Sequence, residues 1–208
     1  MTVPLIFQPL VKYADFQGRA RRSEFWLWVL FRFVLSRFVS ALAFAFIGPG
    51  FMQFSLHAKD YAGDPEQFLR AYFAALSPMM HVLPFLSLIG LALLLPTLAV
   101  KVRRLHDINR SGWWALLPYV TLFAGLIVFC ILGGTTVFTT LAAHPHGDLP
   151  DSDTLKLVFG FIGTAFLCIL LPEIIAWIVM LVFFVTEGTK GPNRFGPDPK
   201  AISQSQEP

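Results

Sequence analysis

The sequence predicts an all-α, polytopic membrane protein: four transmembrane helices with short interfacial helices. Three observations carry that reading. The composition is too apolar for an ordinary soluble chain, with 55% hydrophobic residues, 14% charged residues and a mean hydropathy of +0.63. Four apolar runs reach about twenty residues or more, the length that a hydrocarbon core about 30 Å thick demands of a helix. None of the runs alternates at period two, as the strands of a spanning barrel would.

The first span is expected over 25–47, from FWLWVL to FAFI. Its length, its two arginines (Arg32 and Arg37) and the two dozen residues before it argue against a cleaved signal peptide, although Ala41-Leu42-Ala43 resembles a cleavage site. Next comes 64–76, DPEQFLRAYFAAL, where Asp64 can cap a helix with Pro65 at its first position and Gln67 completing a capping box. Phe68, Leu69, Tyr72, Phe73 and Leu76 share one face at helical spacing, which predicts a helix lying in the outer interface. The second and third spans are expected over 80–100 and 113–134. The polar, turn-rich stretch 144–154, HPHGDLPDSDT, reads as a mobile loop. His144, His146, Asp148, Asp151 and Asp153 have no spacing that fixes a metal geometry, so neither a metal nor another cofactor is expected. The fourth span is expected over 157–185, and Pro172 should bend it. With no internal repeat and no long linker, residues 1–199 read as a single membrane domain, and 200–208 as a disordered tail. Cys130 and Cys168 fall within spans, away from any CxxC or Cys/His spacing, and say nothing about redox compartment.

The net charge of +3 does not point to nucleic acid, because the basic residues alternate by loop rather than forming a patch. Eleven of the 16 Lys and Arg lie in 1–24, 101–112 and 186–208, whereas the loops 48–79 and 135–156 hold only Lys59, Arg70 and Lys156. By the positive-inside rule, both termini and the 101–112 turn face the cytoplasm. Three polar segments are thereby brought to one membrane face: YADFQGRARRSEFW (13–26), RRLHDINRSGWW (103–114) and EGTKGPNRFGPDP (187–199).

These segments, in this order relative to four spans, resemble DUF805, a family of uncharacterised bacterial inner-membrane proteins. The resemblance runs through the F-x-GRARRSEFW opening, the RRLHD-x-x-RSGWW centre and the GT-x-G-x-NRFGPDP ending, and covers nearly the whole chain. It implies a small multi-pass protein of the inner membrane and transfers no biochemical activity.

Read from the residues, Arg19, Arg21 and Arg22 suit the phosphate level and Trp26 and Trp28 an aromatic belt. In the central turn, Ser111 can cap the third span, Gly112 allows a tight turn, and Trp113 and Trp114 mark the interface. Anchoring leaves Arg103, Arg104, His106 and Asp107 unexplained. The favoured reading joins them with Asp15, Glu24, Arg194 and Asp198 in a charge-assisted network that locks the three segments together. NRFGPDP, stiffened by Pro197 and Pro199 and turned at Gly196, should fold back over the turn. The competing reading makes His106 and Asp107 an acid/base pair beside phosphate-holding arginines. No motif places a Ser or Cys nucleophile, so a non-enzymatic protein is favoured.

Arg32, Arg37 and Glu173 fall within spans, where an ion facing lipid costs about 2.5–3.5 kcal/mol or more near a helix centre. Arg32 is shallow enough to snorkel. Arg37 and Glu173 each lie a dozen residues inside their spans, roughly 18 Å at about 1.5 Å per residue, which predicts a contact at one level. Three function classes follow. The first is an interaction or scaffold module whose candidate binding cluster is Arg19, Arg22, Glu24, Arg103, Arg104, His106, Asp107, Arg194 and Asp198. The second is a small transporter or channel using Arg37 and Glu173, and the third an enzyme on an anionic lipid or phosphate using His106 and Asp107. Expected partners are anionic lipid headgroups and a second copy or another membrane protein, with no nucleic acid.

Overall fold

The computed structural model describes residues 4–61, 63–144 and 150–204. Long helices dominate: α1 (Arg22–Leu56), α2 (Pro65–Asp107), α3 (Leu117–Ala143), α4 (Asp151–Ala165), α5 (Leu171–Val185) and the short α6 (Pro199–Gln204). A 3₁₀ turn, Gly112–Leu116, leads into α3, and a π turn, Phe166–Leu170, joins α4 to α5. Four stretches are long and apolar enough to cross a membrane: Arg22–Leu56, Pro65–Asp107, Gly112–Ala143 and Asp151–Val185. The chain falls into two compact units, one of residues 1–16 with 23–100 and the other of 17–22 with 101–208.

In the first unit, the helix expected in the interface over 64–76 is instead the opening of α2, continuous with the second span. Asp64 does cap it, its Oδ1 accepting from the N–H groups of Glu66 at 3.0 Å and Gln67 at 3.1 Å. Continuity has two physical causes. Part of the apolar face is taken up by packing, with Phe68 and Tyr72 meeting the Phe54 ring of α1 at 5.4 and 5.7 Å. Two of the three prolines inside α2, which would ordinarily break a helix by orphaning the carbonyl four residues back, are also compensated. Pro78 frees the Ala74 carbonyl, which accepts from Ser77 Oγ at 2.8 Å. Pro96 frees the Ala92 carbonyl, which accepts from the Tyr13 hydroxyl at 2.6 Å.

Deeper in this unit Trp28 is fully buried, its indole N–H donating to Thr97 Oγ1 at 3.2 Å. The Arg32 guanidinium donates to the same hydroxyl at 3.1 Å.

In the second unit the π turn Phe166–Leu170 stands just before Pro172, the residue expected to bend the fourth span. Pro172 offers no N–H to the Cys168 carbonyl, and the Leu171 N–H bonds back five residues to Phe166. That displaced Cys168 carbonyl lies against Gly125 of α3, where a Cβ would collide with it, so only glycine permits the approach. Phe129 and Phe161 meet edge-to-face at 4.8 Å alongside. Ala176, Met180 and Phe184 form the buried stripe of α5.

The loop expected over 144–154 is shorter than read. α4 begins at Asp151, with Asp151 and Asp153 in its first turn, where carboxylates suit the helix dipole. His146 and Asp148 lie outside the described residues; His144 Nε2 stands 3.7 Å from Asp153, which also accepts from Lys156 at 2.8 Å. Likewise the tail expected to be disordered from 200 onward starts as α6, and 205–208 lie outside the described residues.

The proline compensation at Ala92 can be tested by a double-mutant cycle. Tyr13→Phe should lower stability by about 0.5–1.5 kcal/mol in detergent unfolding. In a Pro96→Ala background, where residue 96 regains an N–H for that carbonyl, the same change should cost nothing measurable. Equal costs in both backgrounds would show that the hydroxyl does not serve the proline break.

Candidate functional site

Charge density in the second unit concentrates where α2 ends. Asn109 adopts the left-handed conformation at φ 58°, the Asn109 N–H returns to the His106 carbonyl at 3.0 Å, and the Arg110 N–H to Leu105 at 2.9 Å. This is a Schellman arrangement with asparagine in place of the usual glycine. It satisfies the last carbonyls of α2 and turns the chain sharply. Ser111, expected to cap the third span, does occupy the N-cap position of the 3₁₀ turn, but its side chain makes no capping hydrogen bond.

The last turns of α2 carry Arg103 and Arg104, both fully buried, and Asp107, 4% exposed. Asp107 divides its carboxylate between two guanidinium groups. Oδ1 accepts from Arg19 Nε at 3.0 Å, and Oδ2 accepts from Arg104 Nη1. The remaining donors reach backbone carbonyls at the end of α5 and in the loop beyond it. Arg19 donates to Gly191 at 2.6 Å and Thr189 at 2.5 Å. Arg104 donates to Phe184 at 3.2 Å and to Thr186, placing positive charge on the C-terminal carbonyls of α5, as the helix dipole favours.

The segment after α5 closes over this centre. The Thr189 N–H and hydroxyl both donate to the Asp107 carbonyl, at 2.9 and 3.1 Å. Asn193 Nδ2 donates to the His106 carbonyl at 2.9 Å and to Thr189 Oγ1 at 3.0 Å. A tight turn, with reciprocal Asn193 and Gly196 bonds of 3.0 Å, presents Phe195 to His106, and the two rings stack at 3.8 Å. Gly188 is required by proximity, since a Cβ there would collide with the Asp107 carboxylate. The first motif is clamped from the other side, the Ala20 N–H donating to the Arg103 carbonyl at 3.0 Å.

Of the predicted site residues, Arg19, Arg104 and Asp107 therefore meet directly. His106 lies one residue away, past the apolar 80–100 stretch, with Nδ1 3.2 Å from the Gly18 carbonyl. A carbonyl only accepts, so Nδ1 carries the proton in this contact. Burial pushes the His106 pKa down, and the Arg194 charge adds to that, against the opposing pull of the Gly18 carbonyl. Arg194 lies over the Phe195 ring at 4.6 Å and donates to the Asn109 carbonyl at 3.3 Å. Arg22 is exposed and pairs with Glu187 at 3.2 Å. Asp198 caps locally, accepting from the Lys200 N–H at 2.9 Å and the Gly191 N–H at 3.1 Å. The Lys200 contact holds its carboxyl below the usual range, helped by Gly191 and Arg19 and opposed by partial burial.

Glu24 and Asp15 belong to the first unit, where Glu24 is buried at the start of α1. Arg37 is also in that unit, its guanidinium 5.6 Å from the Phe33 ring. Glu173, in the second, accepts from Thr121 Oγ1 at 2.9 Å and from the Trp177 indole N–H at 2.8 Å. Lys101 reaches the faces of Trp177 and Tyr119 at 5.4 and 5.8 Å.

Four helices long and apolar enough to cross a membrane, among the described residues, define a polytopic integral membrane protein. The chain belongs to DUF805, described as a protein of unknown function, whose family profile matches residues 13–140. It is 29% identical over 192 residues to the inner membrane protein YhaI of Escherichia coli K12, covering 92% of this chain and 91% of that one. It is 27% identical over 191 residues to the inner membrane protein YhaH of the same strain, covering 92% of each. No solved structure matches it.

Asp107→Asn should destabilise the protein by about 3–5 kcal/mol, because it leaves two buried guanidinium groups without their counter-charge; Gly188→Ala should act in the same direction. Wild-type-like unfolding in detergent would remove Asp107 from the centre of the cap.

A smaller effect is expected with pH. Since the Asp198 pKa is depressed in the fold, its contribution is complete above the ordinary carboxylate value of about 4 and is lost as pH falls through the folded value. Protease protection of the 190–200 segment should drop over that acid range, and Asp198→Asn should abolish that dependence.

Proposed function

We propose that this is a non-enzymatic inner-membrane interaction module, with both termini and the cap in the cytoplasm, whose cap rim meets anionic lipid headgroups. The supporting observation is a division among the cap's cations. Arg19 and Arg104 are buried on Asp107 and on backbone carbonyls, which is structural work. Arg110, Lys190 and Arg194 are exposed, as is Trp113 at 79%, in the same turn as Arg110. Exposed cations and an exposed tryptophan suit the phosphate level of a bilayer.

His106 and Asp107 are committed to different partners: the ring to Gly18 and Phe195, the carboxylate to the two arginines. An acid/base pair needs both groups free to act on one substrate, so this arrangement favours the interaction reading over the enzymatic one. The orientation rests on the excess of Lys and Arg in 1–24, 101–112 and 186–208.

Two measurements test the proposal. Reporter fusions at either terminus should give cytoplasmic signals. Lipid analysis of protein extracted with its native shell should show anionic lipids enriched over the bulk membrane. In the Arg110→Ala/Lys190→Ala/Arg194→Ala variant that enrichment should fall, each cation contributing about 1 kcal/mol. Unchanged enrichment in a folded triple variant would overturn the lipid reading.

A further inference from the structure

Among the charges inside the spans, Arg37 and Glu173 are not neutralised within their own surroundings. The exposed Arg37 guanidinium on α1 rests at 5.6 Å on the Phe33 ring. The Glu173 carboxylate on α5 receives a hydroxyl and an indole N–H, at 2.9 and 2.8 Å, which hydrogen-bond it without cancelling its charge. Lys101 reaches that same indole from its ring face. Among the described residues, neither Arg37 nor Glu173 forms an ion pair within its own unit. An ion left facing hydrocarbon is expensive, and such residues characteristically find a partner within the membrane.

Glu173 is also the polar point of an otherwise apolar groove of about 320 Å³ along α5, lined by Leu170, Ile174, Trp177, Ile178 and Leu181. Counted from the expected span ends at 25 and 185, Arg37 and Glu173 each lie a dozen residues in; from the helix ends at Arg22 and Val185 the counts are 15 and 12 (37 − 22 and 185 − 173), within one helical turn of each other. One chain therefore carries both halves of a complementary pair at similar counts along two spans.

We propose that the occupant of the α5 groove is α1 of a second copy, with Arg37 of each chain pairing with the other copy's Glu173. Two such pairs fit a two-fold symmetric dimer, in which each copy presents the same surfaces to the other. The interface is shape-filling aliphatic and aromatic contact, with the ion pairs setting register, as polar groups do between transmembrane helices. The proposal is independent of the cap and its lipids.

Charge reversal separates this from a pair formed within one chain. Two differently tagged copies are co-expressed, and co-purification through one tag is measured in native-lipid particles. Arg37→Glu in both copies, or Glu173→Arg in both, should lower co-purification by about tenfold for each reversed pair. Arg37→Glu in one copy with Glu173→Arg in the other makes both pairs complementary again and should restore it. Wild-type co-purification of the single reversals would overturn the proposal, as would rescue only when both changes sit in one chain.

Should the reversed chains fail to accumulate, a cysteine assay leaves the charges in place. Ala41→Cys in one copy and Leu170→Cys in the other, each about one turn further from the cap than the pair, are combined with Cys130→Ala and Cys168→Ala. A short thiol-reactive linker should join the two tags in intact membranes; failure to join them, with both chains present and labelled, would equally overturn the dimer.

Discussion

Two guanidinium groups share one buried carboxylate, and the second unit is organised by that ratio. An arginine cannot shed its proton to escape burial, so Arg19 and Arg104 must find acceptors for every N–H they bring inside. Asp107 supplies one oxygen to each. The rest must come from backbone carbonyls not already engaged, and the end of a helix is where such carbonyls are found. Arg104 therefore sits at the end of α5, on Phe184 and Thr186, and Arg19 on the loop beyond, at Thr189 and Gly191. Glycine at 188 follows from the same demand, because the chain must pass the carboxylate too closely for a side chain.

The spans obey a related rule. In an apolar medium each backbone carbonyl needs an internal donor, so a proline in a transmembrane helix creates a local debt. Three solutions occur here: a neighbouring serine at Ala74, a distant tyrosine at Ala92, and a rearranged π turn with a close glycine at Cys168. The third also lets α3 approach the fourth span more closely than side chains would allow.

How much of this was legible beforehand differed by type of interaction. Runs of apolar residues announce spans, because length and hydropathy are properties of sequence alone. That Arg104 and Asp107 belong together was readable from charges that anchoring left over, whereas Arg19 is accounted for as a phosphate-level anchor and its place on Asp107 was not readable. The carbonyl acceptors were not, since every residue has one and sequence does not mark which is free. For the same reason the roles of Thr189, Asn193 and Gly188 were missed, although GTKGPN carried the polar and glycine signals that might have prompted the search. Asn109 was overlooked because a left-handed cap is usually sought at glycine. The continuity of α2 through Pro78 was missed because 64–76 and 80–100 read as separate elements, and nothing in the sequence marks Ser77 as the donor for the Ala74 carbonyl. Glu173 takes its donors from Thr121, on another helix, and from Trp177, one turn along its own, and counting depth along two spans identifies neither.

The placing of Thr189 and Asn193 bears on how the molecule is made. Arg19 and Arg104 come earlier in the chain than every backbone carbonyl that accepts from them, at Phe184, Thr186, Thr189 and Gly191. A growing chain therefore carries both arginines unsheltered until these residues have followed, and a chain cut before Phe184 lacks those acceptors altogether. Closure of the cap thus waits on the segment that follows α5.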